Sequence, residues 1–415
     1  MRVLIVGAGL AGLAASLALT SKNEDVQVVI IERRPNFESR GATFGLAKNG
    51  QASLEEIAPK VCTKLVERGL FIPQSGAYML PWWVVRDALL EEVRSREDRI
   101  AIHLGVTMDE VTESGIDEPM VVTFEGSDMI VEADMVIGAD GVHSHVRQNI
   151  LKLPPARSSN AFVWRGSIDM NTSESLRQFK DYPLAKMDKF GDTISLAYFN
   201  FQPKVEGKLA WVTTVRMEEE PNSRNISYES GKTTPLDVIE SYMKSVDTPG
   251  EDLQQKYENA KLLLGNTHQP SDLTFSTEMC VVDLDQDHGW GGEGRITLIG
   301  DAAHSVRPAS GLGGSLAFED ATLLYRALFD VDEDGDGDSS SLERRLRDFE
   351  AKRLPRCRSI SRDQSIRSSL SYKVNYVDIP RWNPLYEEWI WAGPDAPPEP
   401  PVRESEVFGN LLKLI

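Results

Sequence analysis

The chain has 415 residues and a formal net charge of −19, a length that predicts two domains around a sizeable core. The acidic balance excludes nucleic acid as the favoured partner, because Lys and Arg supply most of the affinity for a polyanion, and the surplus carboxylates read as solubility. Cys62, Cys280 and Cys357 are an odd, widely spaced set; they predict no disulfide framework, no metal centre and a reducing, cytoplasmic compartment.

In chain order, Val3 to Val6 reads as a buried parallel strand and 10–21 as a helix, joined by Gly7-Ala8-Gly9-Leu10-Ala11-Gly12. The uncharged run from Val3 to Thr20 behind Arg2 imitates a signal peptide or membrane segment. Its character changes at Gly7, however, from β-branched and aliphatic to Gly, Ala and Leu at helical spacing. Strand, tight turn and buried helix explain it, and no stable membrane insertion is predicted. Val26 to Ile31 is a second strand, β-branched throughout except for Gln27, as in a sheet covered on both faces, and it runs into Glu32-Arg33. A helix follows over 87–96. Short strands come next at 100–104, 120–124 and 129–132, separated by Gly105, Gly115 and Gly126. Met135 to Ile137 is a further buried strand, ending at Gly138-Ala139-Asp140-Gly141.

From 156 to 282 the pattern alternates, at 162–168, 193–201, 209–215 and 275–282, and predicts an antiparallel sheet with one covered face. Ile296 to Ile299 then returns to the buried-strand style. It leads into Gly300-Asp301-Ala302-Ala303-His304, Pro308 and Gly311-Leu312-Gly313-Gly314, followed by helices over 314–329 and 342–370. The predicted fold is α/β: a discontinuous Rossmann-like dinucleotide-binding domain (1–155 plus 283–375), an inserted antiparallel-sheet substrate domain (156–282) and an irregular tail (376–415).

In the first glycine segment, Gly7 permits the turn, Gly9 admits backbone to a pyrophosphate, and Gly12 lets helix and strand pack closely, with Ala11 inside the same turn. The helix N-terminus faces the phosphates. Glu32 stands 20 residues past Gly12, where an acid accepts from adenosine ribose hydroxyls. Arg33 does not by itself imply a 2′-phosphate, and Arg40 is a further phosphate-side candidate. The three glycine segments in this order fit one FAD bound along its length. Asp301 after a buried strand can accept from polyol hydroxyls, although Asp there also serves as a helix N-cap. Asp140-Gly141 is equally a common turn pair. Glu319-Asp320 reads as helix-surface or N-terminal-turn acid, not as a catalytic dyad. The acids of Asp330 to Ser341 alternate like a calcium loop but end on Ser341 instead of Glu, which favours a solvated insertion.

Gly7, Gly9, Gly12 and Glu32, together with Arg86 in Val84-Val85-Arg86-Asp87-Ala88-Leu89, Asp134 through Arg147 and Gly294 through Ala321, resemble the FAD-dependent aromatic monooxygenases. These are the single-component flavoprotein hydroxylases of the para-hydroxybenzoate and salicylate hydroxylase type. The resemblance spans roughly residues 1–330. Trp164-Arg165-Gly166 is similar to a triplet that opens the substrate sheet in the salicylate branch. The resemblance implies that Gly300 and Asp301 meet the ribityl chain and that Arg86 and Asp140 lie near the pyrophosphate. It also implies that the loop carrying Pro308, Gly311, Gly313 and Gly314 flanks the flavin ring above a helix N-terminus, which favours the negative charge of reduced flavin. Ser315 sits near a place where family members often carry Asn.

The implied reaction uses NADPH or NADH as a transient electron donor. Reduced FAD meets O2 and forms a C4a-hydroperoxide, and one oxygen atom passes to a small aromatic substrate. Substrate contacts are expected from Trp164, Arg165, Tyr198, Phe201, Trp211 and Arg216, each of which core packing or a solvated strand also explains; an Arg there suits a carboxylate. No catalytic base is assigned, since His268 reads as a loop histidine. Epoxidation of a terpenoid or other alkene, and flavin binding without turnover, are the alternatives. A halogenase is disfavoured because Trp82-Trp83 has the wrong spacing.

Overall fold

The computed structural model describes residues 1–37, 43–72, 76–113, 115, 118–181, 185–201, 204, 207–216, 233–267, 273–286, 288–306, 311–329, 340–371 and 393–397. Arg2–Val6 is the centre of a five-stranded parallel sheet ordered Ile296–Leu298, Met135–Gly138, Arg2–Val6, Gln27–Glu32, Ile100–Leu104. Its two innermost apolar runs are buried from Val3 to Val6 and from Met135 to Gly138, as strands covered on both faces require. The helix Leu10–Leu19 buries all ten of its residues, which is why it is apolar all round, and it packs against the helix Gly313–Phe329. The membrane-like run is therefore interior structure. Among the described residues no helix is long and apolar enough to cross a membrane.

Several elements lie outside the sequence-based expectation. The helix expected over 87–96 spans Trp82–Arg94, because Pro81 ends a strand in extended geometry and the helix starts on the next residue. Helices Lys48–Ile57 and Pro59–Arg68 precede it, beside a small antiparallel sheet ordered Thr43–Leu46, Ala77–Pro81, Leu70–Ile72. The strands expected at 120–124 and 129–132 are present as Met120–Phe124 and Ser127–Ala133, and an unexpected strand, Met108–Thr112, joins them in a further three-stranded sheet.

The alternating segments form a five-stranded antiparallel sheet ordered Ala185–Phe190, Ile194–Asn200, Lys208–Arg216, Arg157–Asp169, Leu273–Val281. Helices Pro235–Lys244 and Glu251–Gly265 cover one face and bury a core that includes Trp164, Leu196, Tyr198 and Trp211. Sequence reasoning missed both helices; the first starts on a capping box made by Thr234 and Asp237, with Pro235 in its first turn. The opposite face carries Ala197, Phe199, Phe201 and Ala210, packed near Leu70 and Met79 of the small sheet.

Candidate functional site

The glycines of the first turn separate by what surrounds them. Gly7 has φ +112°, and a Cβ there would fall 2.4 Å from the Ala139 carbonyl oxygen. A Cβ on Gly12 would fall 2.0 Å from the Gly7 carbonyl oxygen. Both residues are glycine because backbone passes against backbone. Gly9 differs: its φ is −76° and its ψ −175°, and nothing among the described residues lies within 4 Å of a Cβ placed on it. Neither strain nor packing demands glycine there. Above it lies open volume at the start of a helix with no side-chain cap, where free amides and the helix dipole suit a diphosphate.

Glu32 ends the neighbouring strand with its Oε2 accepting the Ala8 N–H at 3.1 Å and its Oε1 accepting the Arg34 N–H at 3.0 Å. Each oxygen keeps acceptor capacity for a ribose hydroxyl. Ala11 explains itself only in three dimensions. A Cβ on Gly300, at φ +59°, would sit 2.8 Å from the Ala11 methyl, so the first and third segments meet at this pair. Arg33 is exposed. Arg86 is buried, bonded to Asp87 at 2.7 Å and set over the rings of Phe37 and Trp82. Arg40, Pro308, His268 and the acids of 330–339 lie outside the described residues.

Asp301 opens a one-turn helix, Asp301–His304. Its side chain is reached by solvent yet ringed by protein, as in a group lining a concave wall. Enclosure raises its carboxyl above the usual range, with Asp320 adding to the rise and His304 and Arg165 opposing it. A Cβ on Gly313 would lie 3.8 Å from Asp301 Oδ1, and Gly311, at φ +66°, faces open space among the described residues. Gly45 lies against the same loop, since its Cβ would be 3.5 Å from the Gly311 carbonyl oxygen; sequence reasoning missed this strand. Gly314 is a packing glycine whose Cβ would strike the Phe44 ring at 2.1 Å. The Ser315 hydroxyl is spent on backbone, donating to the Gly45 carbonyl at 3.3 Å and accepting from the Ala47 N–H at 3.3 Å.

Arg165 comes to Asp301 from the inserted sheet. Burial lowers the pKa of its guanidinium, against the opposing charge of Asp301. Side chains alternate along a strand, so Arg165, Phe201 and Arg216 share the face opposite the helices. Trp164, Tyr198 and Trp211 face the covering helices instead, in keeping with the core-packing alternative for each. Trp211 donates its indole N–H to Thr267 Oγ1 at 3.1 Å, and the Tyr198 hydroxyl donates to Asp188 Oδ2 at 2.7 Å; both are satisfied core residues.

Asp140 caps a turn. Its Oδ2 accepts the N–H groups of His145 at 2.6 Å and Val146 at 3.1 Å, and burial lifts its carboxyl. Its buried Oδ1 has no partner among the described residues. Arg147, also buried, donates to the carbonyls of Pro154 at 2.9 Å and Ala302 at 3.5 Å, tying the second segment to the third. Glu319 and Asp320 are fully buried and ion-paired with Arg353 and Arg356, contrary to the helix-surface reading. His304, Asp320 and Cys357 bring ligand atoms within 4.8 Å of one another. Asp320 is nevertheless already engaged by His304 and Arg353, and burial pushes the Cys357 thiol up to about 12, so the chemistry disfavours a metal.

An NAD(P)-binding Rossmann-like domain model matches residues 5–49 and an FAD binding domain model matches 291–363, the two stretches whose Ala11 and Gly300 meet. The chain is 27% identical over 346 residues to aurachin C monooxygenase/isomerase of Stigmatella aurantiaca, covering 79% of this chain and 80% of that protein. It is 26% identical to 3-amino-4-hydroxybenzoate 2-monooxygenase of Streptomyces cremeus, covering 87% and 85%. These relatives are FAD-dependent monooxygenases, the enzymes that the chain's three glycine segments resemble. Solved structures agree on the fold of this monooxygenase. CtdE in complex with FAD superposes with a TM-score of 0.68 at 17% identity, over 90% of this chain and 95% of that one. Klebsiella pneumoniae HpxO complexed with FAD and uric acid gives 0.63 at 17%, over 90% and 89%.

Proposed function

We propose that this monooxygenase holds FAD with its diphosphate over Gly9, its adenosine ribose at Glu32 and its ribityl chain at Asp301. NADH or NADPH is the electron donor, and one oxygen atom of O2 goes to a small aromatic substrate. The single observation that carries the reading is the pairing of two accessible features on one wall: the open cradle over Gly9 and the enclosed yet solvent-reached carboxylate of Asp301, joined through the Ala11–Gly300 contact. When bound, FAD supplies the acceptance of hydride and the activation of O2.

The chain's own residues do the rest. The amides after Gly9 and the helix dipole hold diphosphate. Glu32 and Asp301 accept from hydroxyls. The start of the helix Gly313–Phe329, beside Asp301, favours negative charge on the ring. Residues 156–282 act as the substrate domain set against a dinucleotide-binding domain of 1–155 and 283–375. Arg165 is the substrate-side residue of choice: a guanidinium carried by the sheet and facing Asp301 suits an anionic group on the substrate, and the apolar face formed by Ala197, Phe199, Phe201 and Ala210 suits a ring and keeps water out. Relatives named for 3-amino-4-hydroxybenzoate and urate support a small cyclic substrate. Three cysteines with no disulfide among them fit a cytoplasmic setting.

The test is direct. Purified protein takes up FAD and turns yellow, and a panel of aromatic acids, phenols and alkenes is screened for stimulation of NADH or NADPH oxidation with oxygenated product. An aromatic acid is the expected stimulant. Stimulation by an alkene alone establishes the epoxidase reading, and a colourless protein that cannot take up FAD removes both.

A further inference from the structure

The buried acids of the helix Gly313–Phe329 divide the work behind Asp301. Asp320 Oδ2 accepts hydrogen bonds from the Gly300 N–H at 2.7 Å and from His304 Nε2 at 2.6 Å. Its Oδ1 accepts from Arg353 Nε at 2.6 Å. Glu319 has an equally buried set: Arg353 Nη1, Arg356 Nε and Nη2, and Asn49 Nδ2, all at 2.7 Å. Arg353 and Arg356 come from the long helix Ser340–Ser371. Only Asp320 reaches the turn that carries Asp301.

That turn needs external support. Gly300 sits at φ +59° and ψ −143°, and the helix after it has four residues, too short to hold itself by internal hydrogen bonds. Its two ends, the Gly300 N–H and the His304 ring, are fastened to one carboxylate. We propose that Asp320, clamped by Arg353, is a positioning residue that fixes the Gly300–His304 turn so that Asp301 meets the ribityl chain. This rests on the FAD reading of Asp301 above. Glu319 bears the same charge and burial without touching the turn, and so provides an internal control.

Two double variants remove a buried anion and cation together: Asp320→Asn with Arg353→Met, and Glu319→Gln with Arg356→Met. Each is compared with wild type by urea melting of the apoprotein, FAD titration by fluorescence quenching, and visible circular dichroism of the bound flavin. Both pairs are expected to lose stability. Only the Asp320/Arg353 pair should raise the Kd for FAD, by about tenfold or more, and change the flavin dichroism, because a buried N–H and a histidine lose their ionised acceptor. Arg353→Lys, which keeps the cation and one donor, should give an intermediate Kd and serves if the double variant does not fold. If the Asp320/Arg353 pair and Arg353→Lys bind FAD as wild type does while Asp301→Ala weakens it, the positioning role is overturned and the FAD site stands. If wild-type protein fails to bind FAD, the site reading itself falls and this proposal falls with it.

Discussion

Replacing Gly9 by Ala separates the demands of a ligand from the demands of the fold. The residue is extended, a conformation alanine adopts freely, and its Cβ would meet nothing among the described residues within 4 Å. The apoprotein should therefore keep its stability or gain about 0.4–1 kcal/mol from a stiffer unfolded chain. Binding should suffer, because the methyl enters the space assigned to the diphosphate. Losing one charge-assisted hydrogen bond costs about 1.5–3 kcal/mol, or roughly a 10- to 100-fold rise in Kd. Gly12→Ala is the opposite case: a Cβ 2.0 Å from the Gly7 carbonyl oxygen forces backbone apart and should destabilise the apoprotein by several kcal/mol, about 2–4. Urea melts of apoprotein and fluorescence titrations with FAD read the two effects independently. Unchanged FAD affinity in Gly9→Ala, or a fold it destabilises as much as Gly12→Ala does, would refute the reasoning.

Arg165→Met should lower kcat/KM for an anionic aromatic substrate by about tenfold or more, from loss of a charged hydrogen bond worth roughly 1.5–3 kcal/mol, while FAD affinity moves little; steady-state kinetics beside an FAD titration checks both. Trp211→Ala should cost about 3–5 kcal/mol of stability as a core truncation, read by urea melting, and Trp211→Phe should leave KM near wild type because the side chain faces the helices. Asp320 has its carboxyl lowered from 3.8 to about 2 against the penalty of burial, chiefly by the charges of His304 and Arg353. A depressed value means that its contribution is present above the unfolded pKa and is lost as pH falls through the folded one. Wild type should thus lose about 2 kcal/mol more than Asp320→Asn between those limits, measured by urea melts across that pH range. Cys62 and Cys357 are both pushed up to about 12 by burial, so a thiol reagent applied to native protein should modify neither before Cys280, as peptide mapping would reveal.

The parallel sheet was legible because covered strands are apolar almost throughout: Val3 to Val6, Val26 to Ile31 with Gln27 the one exception, and Met135 to Ile137 lie where their composition placed them. Glycine spacing likewise announced the turn, but it did not distinguish Gly9, open to a ligand, from Gly7 and Gly12, closed by backbone. Period two requires neighbours Trp164 and Arg165 to face opposite ways. Which way was hidden, since both faces of that sheet carry aromatics and the covering helices lie some seventy residues on. Glu319 and Asp320 looked like helix-surface acids because their partners, Arg353 and Arg356, are 33 to 37 residues distant, and pairing at that range leaves no local pattern. Asp301 was found through its place after a strand; its enclosure by His304, Arg165 and Asp320 needed the assembled fold.

A crystal structure of the protein grown with FAD measures the central claim most directly. The account predicts the diphosphate over Gly9 at the start of the helix Leu10–Leu19, a ribose hydroxyl on Glu32 and a ribityl hydroxyl within hydrogen-bond reach of Asp301. FAD bound elsewhere, with Gly9 and Asp301 both free of it, would contradict it.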